Sequence, residues 1–305
     1  MTSLTDPIGL ESFPCYAKIN LFLEIQDKRS DGYHNLGSLF QTLAIADRLK
    51  AEPWDTVALV GAENITANPE ENLIYKAARL LQKTYPDRIL DQAGIARDKN
   101  GNAGIRFHLE KNLPAGAGLG GGSSDAATAL ILTNHIWKLN LSVTDMLPMA
   151  AQLGADVPFF LHGGTAFGEG KGETLSPAPE PFPFHIVVAT PRCTVDTAWA
   201  YGQLPKKDPS KKYSWASFKA LYFTYCEDEK FYQVLRNDFD LPMREKLEPI
   251  QTLFTAMQAF SPIKTMLSGS GASLFSLFVE KADAEACLAS VQDQCRYSAL
   301  TQFMQ

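Results

Sequence analysis

No continuous apolar run in the 305-residue chain approaches the ~18 residues that a bilayer span requires. Its five cysteines, Cys15, Cys193, Cys226, Cys287 and Cys295, contain no C-x-x-C pair. An odd, scattered set is a poor disulfide framework and reads as reduced thiols. The first fifteen residues hold neither Lys nor Arg and no apolar core, so neither a secretory signal nor an Arg-rich transit segment is visible there. No repeat at solenoid spacing and no low-complexity tract occurs. With 28 Lys and Arg against 34 Asp and Glu the formal charge is −6, so a nucleic-acid footprint would have to be a local patch on an acidic protein. These absences predict a cytoplasmic protein with no membrane and no nucleic acid among its partners.

What is present is an ordinary globular composition, 45% hydrophobic and 20% charged. At roughly 150 residues per domain the length predicts about two domains. Pro177, Pro179, Pro181 and Pro183 alternate within Ser176 to Phe184, a segment that can continue neither a helix nor a central strand. It marks a boundary between domains 1–178 and 179–305. A lysine-rich irregular stretch from Leu204 to Tyr213 reads as an exposed loop.

Near the start, Ala17, Ile19, Leu21, Leu23 and Ile25 alternate with Tyr16, Lys18, Asn20, Phe22 and Glu24. That period of two predicts a strand with one buried face, and it places Lys18 and Asn20 on the opposite face, about 7 Å apart. Asp31-Gly32 predicts a turn and Leu36 to Ile45 the returning strand. Asn72 to Lys83 has helical spacing, Ile105 to Leu109 reads as a strand, and helices are expected over Ala126 to Trp137 and Leu147 to Leu153, the latter stopped by Gly154. Strands at Phe184 to Ala189 and on either side of Ser268-Gly269-Ser270-Gly271 complete a mixed α/β (α+β) fold.

The segment Pro114-Ala115-Gly116-Ala117-Gly118-Leu119-Gly120-Gly121-Gly122-Ser123-Ser124-Asp125 sets five glycines before a helix. Glycine lets main-chain N–H groups converge on an anion, and a helix N-terminus adds its own unpaired donors and positive dipole end. Phosphate is the natural guest. The Walker A pattern fails for want of Gly-Lys-Ser/Thr. Gly116, Gly118 and Gly121 satisfy G-x-G-x-x-G, but Lys111 to Pro114 separate the strand from the first glycine, and no second strand ends in an acidic residue some 20 positions on.

Three segments, Ala17 to Leu23 (AKINLFL), Leu113 to Ala127 (LPAGAGLGGGSSDAA) and Leu267 to Ser273 (LSGSGAS), follow one another as in the GHMP small-molecule kinases, which the chain resembles. Arg29-Ser30-Asp31-Gly32-Tyr33-His34, the triple glycine 120–122 and Gly154-Ala155-Asp156-Val157-Pro158-Phe159-Phe160 resemble the branch acting on a cytidyl diphosphate-linked methylerythritol in non-mevalonate isoprenoid synthesis. The resemblance implies a two-domain architecture with the active site in the cleft between domains, and ATP with Mg²⁺ as cofactors. Alternatives are a GHMP kinase for mevalonate, homoserine or a sugar, and a non-catalytic sensor of nucleotide and metabolite. Leu90 to Asn102 looks like an insertion without chemistry.

The resemblance assigns roles residue by residue. Asp156 is the base, a position where a helix N-cap is the plain alternative. Lys18 pairs with it and stabilises the developing alkoxide, where a snorkelling surface lysine is the plain alternative. Asn20 orients the lysine or the substrate. Tyr33 and His34 serve the cytosine, which offers a π face and a hydrogen-bonding edge, and Tyr201 closes the other side, with Trp199 its competitor. Lys111, Pro114, Gly116, Gly118, Leu119, Gly120, Gly121, Gly122, Ser123 and Ser124 hold ATP, near Asn72 and Lys76. Magnesium arrives with the nucleotide, and no separate metal site is expected. Gly269 and Gly271 permit close backbone approach.

Overall fold

The computed structural model describes residues 12–90, 95–205 and 213–304. Residues 91–94 of the insertion and 206–212 of the lysine-rich loop therefore lie outside the described residues, as do the first eleven positions read for targeting. Two compact units are interleaved along the chain. Unit 1 holds Ala46–Asn112, Gly121–His162 and the N-terminal residues through Tyr16; unit 2 holds Ala17–Ile45, Leu113–Gly120 and Gly163–Gln305. The interleaving arises because β1 (Phe13–Lys28) and β2 (His34–Trp54), which pair with each other, are long enough to contribute to both.

In unit 1, Arg48 to Trp54 of β2 run antiparallel to β4 (Gly104–Glu110), and β3 (Val57–Val60) lies parallel to β4. The helices are α1 (Leu73–Thr84), α2 (Pro86–Leu90), α3 (Gly121–Ile136), α4 (Val143–Leu153) and α5 (Val157–His162). Asn72 caps α1 by accepting from the Ile74 N–H at 3.0 Å. α4 starts four residues before the expected position, because Ser142 and Asp145 form a capping box that outweighs the N–H missing at Pro148 inside the helix. Gly154 ends the helix as expected, as a C-cap in extended backbone with φ 171°. α3 likewise starts inside the glycine tract, at Gly121, five residues earlier than the Ala/Leu spacing suggests. Its apolar side chains enter a core with Trp137, Ile105, Phe107 and Leu81.

Unit 2 contains the N-terminal half of β2 paired with β5 (Thr165–Glu169), β6 (Thr174–Pro177) on the far side of β5, and an antiparallel four-stranded sheet in the order β10-β7-β9-β8. Those strands are β7 (His185–Pro191), β8 (Lys264–Leu267), β9 (Leu274–Phe278) and β10 (Cys295–Thr301). Around it are α6 (Thr197–Gly202), α7 (Trp215–Tyr225), α8 (Asp240–Lys246), α9 (Glu248–Gln258) and α10 (Lys281–Val291). β7 is apolar without a break from Ile186 to Ala189 because both its faces are covered there: Ile186 and Val188 enter one cluster with Phe22, Phe218 and Phe275, while Val187 and Ala189 enter another with Leu253, Met257 and Val291. The same holds for β1. Lys18 and Asn20 are 3% and 2% exposed, so the strand is buried on both faces where alternation predicts a solvent-facing one. All five cysteines are free thiols.

Candidate active site

In unit 2 the three separated sequence segments meet. β1 presents Lys18, whose Nζ donates to Asn20 Oδ1 at 2.7 Å and lies 5.5 Å from the centre of the Phe40 ring. Asn20 is fixed in turn: its Nδ2 donates to Ser38 Oγ at 2.8 Å, and Ser38 Oγ donates to the Phe22 carbonyl at 2.9 Å. This relay explains how a polar face survives in the core, since every link that removes a group from water supplies a hydrogen bond.

The loop joins β1 through the Lys18 N–H, which donates to the Leu119 carbonyl at 2.9 Å. Gly116, Gly118 and Gly120 all have positive φ, the alternation that makes a main-chain concavity. Gly118 is also a close-packing position. A side chain there would collide with the Ser268 carbonyl, and the Ser268 hydroxyl donates to the Gly118 carbonyl at 2.9 Å. The Ser273 N–H donates to the Ala117 carbonyl, so the 268–273 turn and the loop are laced together. A Cβ on Gly269 would lie 3.6 Å from Asn20 Oδ1. Leu119 is buried, so it serves the loop through its backbone while its side chain belongs to the core. Pro114 and Gly120 are half-buried and Gly116 is exposed.

Unit 2 also contains the aromatic residues. Gly32 turns the chain between β1 and β2, with the Arg29 N–H donating to the Tyr33 carbonyl at 2.7 Å. His34 stacks on Tyr201 with centroids 5.0 Å apart and planes 12° apart, and Phe239 meets Tyr201 edge-on at 5.0 Å. Trp199 is turned outward and 40% exposed, so Tyr201 is the aromatic residue that α6 brings to His34. Tyr33 is 60% exposed, with Lys171 Nζ 4.7 Å from its ring centre.

Unit 1 carries the helix end of the glycine tract. Gly121 opens α3, and open space surrounds the position a Cβ would take on Gly122. Ser123 is half-buried and Ser124 is 3% exposed. This end offers N–H donors with room beside Gly122, which suit the phosphates of a nucleotide, and hydroxyl oxygens of the kind that ligate a magnesium ion carried by them. Among the described residues no group of three or more His, Cys, Asp or Glu side chains could hold a metal ion on its own. Asp156 immediately precedes α5 and is half-buried. Lys76 is exposed on α1.

Lys111 is engaged by residues to which the sequence reading gave no role. Its ammonium donates to Asp47 Oδ2 at 2.5 Å and to Asp125 Oδ2 at 2.8 Å. Burial alone would lower the Lys111 ammonium, but Asp125 and Asp47 outweigh it and hold the group above its ordinary range. Burial raises the Asp125 carboxyl to about 7, against the pull of Lys111 and with the added push of Asp47. A signal for both was present: Asp47 ends the apolar run Leu43 to Ala46, and Asp125 closes the glycine motif.

Residues 72–164 match the family described as GHMP kinases N terminal domain. A 4-diphosphocytidyl-2-C-methyl-D-erythritol kinase of Synechocystis is 34% identical, with 91% of this chain and 90% of that protein covered. One from Paraburkholderia phytofirmans is 37% identical over 90% and 88%. The crystal structure of a 4-(cytidine 5′-diphospho)-2C-methyl-D-erythritol kinase superposes with a TM-score of 0.77 and 29% identity, covering 97% of this chain and all of that one. The chain thus belongs to the GHMP kinases, in the branch formed by the 4-diphosphocytidyl-2-C-methyl-D-erythritol kinases.

Proposed function

We propose that the protein transfers the γ-phosphoryl group of Mg·ATP to the 2-hydroxyl of 4-diphosphocytidyl-2-C-methyl-D-erythritol, in the cytoplasm, as a step of non-mevalonate isoprenoid synthesis. The observation that carries this reading is the convergence of Lys18 and Asn20, the glycine loop and the 268–273 turn within unit 2. The relatives that share their name over nine-tenths of the chain support the choice of acceptor.

Phosphoryl transfer asks little covalent work of a protein; it asks for in-line placement and for charge to be met where it develops. In this reading the catalytic pair and the phosphate loop belong to the portion 1–178, and the portion 179–305 completes the acceptor site. Asp156 takes the proton from the attacking hydroxyl. Lys18, held by Asn20, meets the negative charge growing on that oxygen. The loop N–H groups and the start of α3 receive the ATP phosphates, with Ser123 and Ser124 as hydroxyl donors. Magnesium neutralises phosphate charge when it is bound with ATP. Tyr33 and Tyr201 supply stacking faces for the cytosine and His34 a hydrogen-bonding edge, which requires the His34–Tyr201 stack to open, since two rings 5.0 Å apart leave no room for a third between them.

The test is ADP release with Mg·ATP and four acceptors: the cytidyl compound, mevalonate, homoserine and galactose. Turnover confined to the cytidyl compound is the expected result. Turnover of another alcohol would discard the cytosine assignment, and ATP binding without turnover of any acceptor would favour a sensor.

A further inference from the structure

Asp47, Lys111, Asn112 and Asp125 form a buried ionic knot in unit 1. The side chains of Asp47, Asp125 and Lys111 are 0%, 4% and 15% exposed. Asp47 uses both oxygens, Oδ2 for the Lys111 ammonium and Oδ1 for the Asn112 N–H at 2.6 Å. In the chain, Lys111 and Asn112 are the last residues before the glycine loop and Asp125 lies in the helix that follows it. The knot therefore ties the entrance of the loop to its exit. The loop between them holds Gly116, Gly118 and Gly120, which lose more backbone freedom on ordering than other residues do, so fixed ends matter more to it than to an ordinary turn.

We propose that Lys111 is a positioning residue whose ammonium, shared between Asp47 and Asp125, sets the shape of the phosphate loop and thereby the affinity for ATP, without itself touching the phosphates. The inference rests on the reading that this loop receives ATP. Two of the three N–H donors of Lys111 are already committed, and two carboxylates face one cation, so the knot has no surplus positive charge to offer a nucleotide. The Cys15 thiol on β1, which meets both Asp125 and the Thr128 hydroxyl of α3, brings no cation to the knot.

The test compares Lys111→Met, Lys111→Arg, Asp47→Asn and the double variant Lys111→Met/Asp47→Asn in steady-state kinetics and in calorimetric titration with Mg·ATP. A clasp predicts that Lys111→Met raises KM for ATP about tenfold while kcat changes less than about threefold and the acceptor KM stays put. It predicts that Lys111→Arg recovers most of the affinity, that Asp47→Asn moves KM in the same direction as Lys111→Met, and that the double variant is no worse than the worse single one. If Asp47→Asn instead leaves or tightens ATP binding, Lys111 is a direct phosphate ligand released by the loss of its carboxylate, and the clasp is wrong. A lowered Tm with unchanged KM in all variants reduces the knot to a structural pair and likewise overturns it. Wild-type protein that does not bind Mg·ATP removes the nucleotide reading and this inference together, an outcome separable from the others because it precedes any substitution.

Discussion

A lysine that is 3% exposed is costly to bury unless its charge has work to do, and Lys18 is accommodated by the Asn20 amide and the Phe40 ring. Replacing it with Met keeps the volume, and in the proposed chemistry removes the cation that meets the developing alkoxide. Lys18→Met and Asp156→Asn are each expected to lower kcat by about 10²–10⁴ while Mg·ATP binding stays within about threefold, measured by single-turnover kinetics and calorimetry. Activity near the wild-type level in either variant would remove that residue from the chemistry. Asp125 allows a prediction from its carboxyl alone. Its value in the folded protein, about 7, lies above that of an unfolded chain, so the folded state binds the extra proton and this residue's contribution to stability declines as pH rises from about 4 to 7. Asp125→Asn removes that dependence. The Tm of the variant relative to wild type should therefore rise between pH 5 and pH 8; a constant difference would mean that the carboxyl titrates normally. The alternation of β1 made it legible that Lys18 and Asn20 share a face. Their burial was not legible, because the cover comes from Phe40 and Ser38, whose approach depends on how β2 pairs with β1.

The glycine tract divides into positions with opposite demands. Gly118 has φ +79° and its missing side chain would occupy the place of the Ser268 carbonyl, so Gly118→Ala carries both a backbone penalty of about 1–3 kcal/mol and a clash that parts the loop from the 268–273 turn. Gly122 lies in the first turn of α3 with open space around it, so Gly122→Ala should raise stability by up to about 1 kcal/mol through helix propensity. The space that makes this substitution harmless to the fold is the space in which a phosphate would approach the helix N-terminus. The expected pattern is a lower Tm for Gly118→Ala, and for Gly122→Ala an equal or higher Tm combined with several-fold weaker ATP binding in thermal-shift titrations. Undiminished ATP binding by Gly122→Ala would show that phosphate does not approach this end of the helix. The motif itself was readable from spacing and composition. Where loop becomes helix was not, because Ala/Leu periodicity starts only at Ala126, whereas the first turn is set by packing of α3 in unit 1. The position of α4 was misjudged for a similar reason: the capping box at Ser142 that starts it lies outside the apolar pattern read from Leu147.

At the scale of the whole chain, composition and the proline-rich stretch at 176–184 suggested a division near residue 178, a local signal that carries no information about partners distant in sequence. Contacts group the chain differently, since it passes between units after Tyr16, Ile45, Asn112, Gly120 and His162. One cluster of unit 2 joins Ala17, Ile19, Phe22, Leu39 and Phe167 to Phe184, Ile186, Trp215, Phe218 and Phe275, with Phe22 stacked on Phe218 at 4.0 Å. A fragment ending at residue 178 would expose the first group. At about 1.5–3 kcal/mol for each large apolar side chain returned to water, a few such losses match the whole stability of a typical domain. The fragment 1–178 is therefore expected to be insoluble or to melt without a cooperative transition, although it carries Lys18, the glycine loop and Asp156. The complete chain, in which β1 and β2 run unbroken from one unit into the other, should unfold in a single step. Circular dichroism and the fluorescence of Trp54 and Trp137 in unit 1 and of Trp199 and Trp215 in unit 2 should then report the same midpoint. A soluble 1–178 fragment with a sharp transition of its own would show that β1 and β2 do not couple the two units.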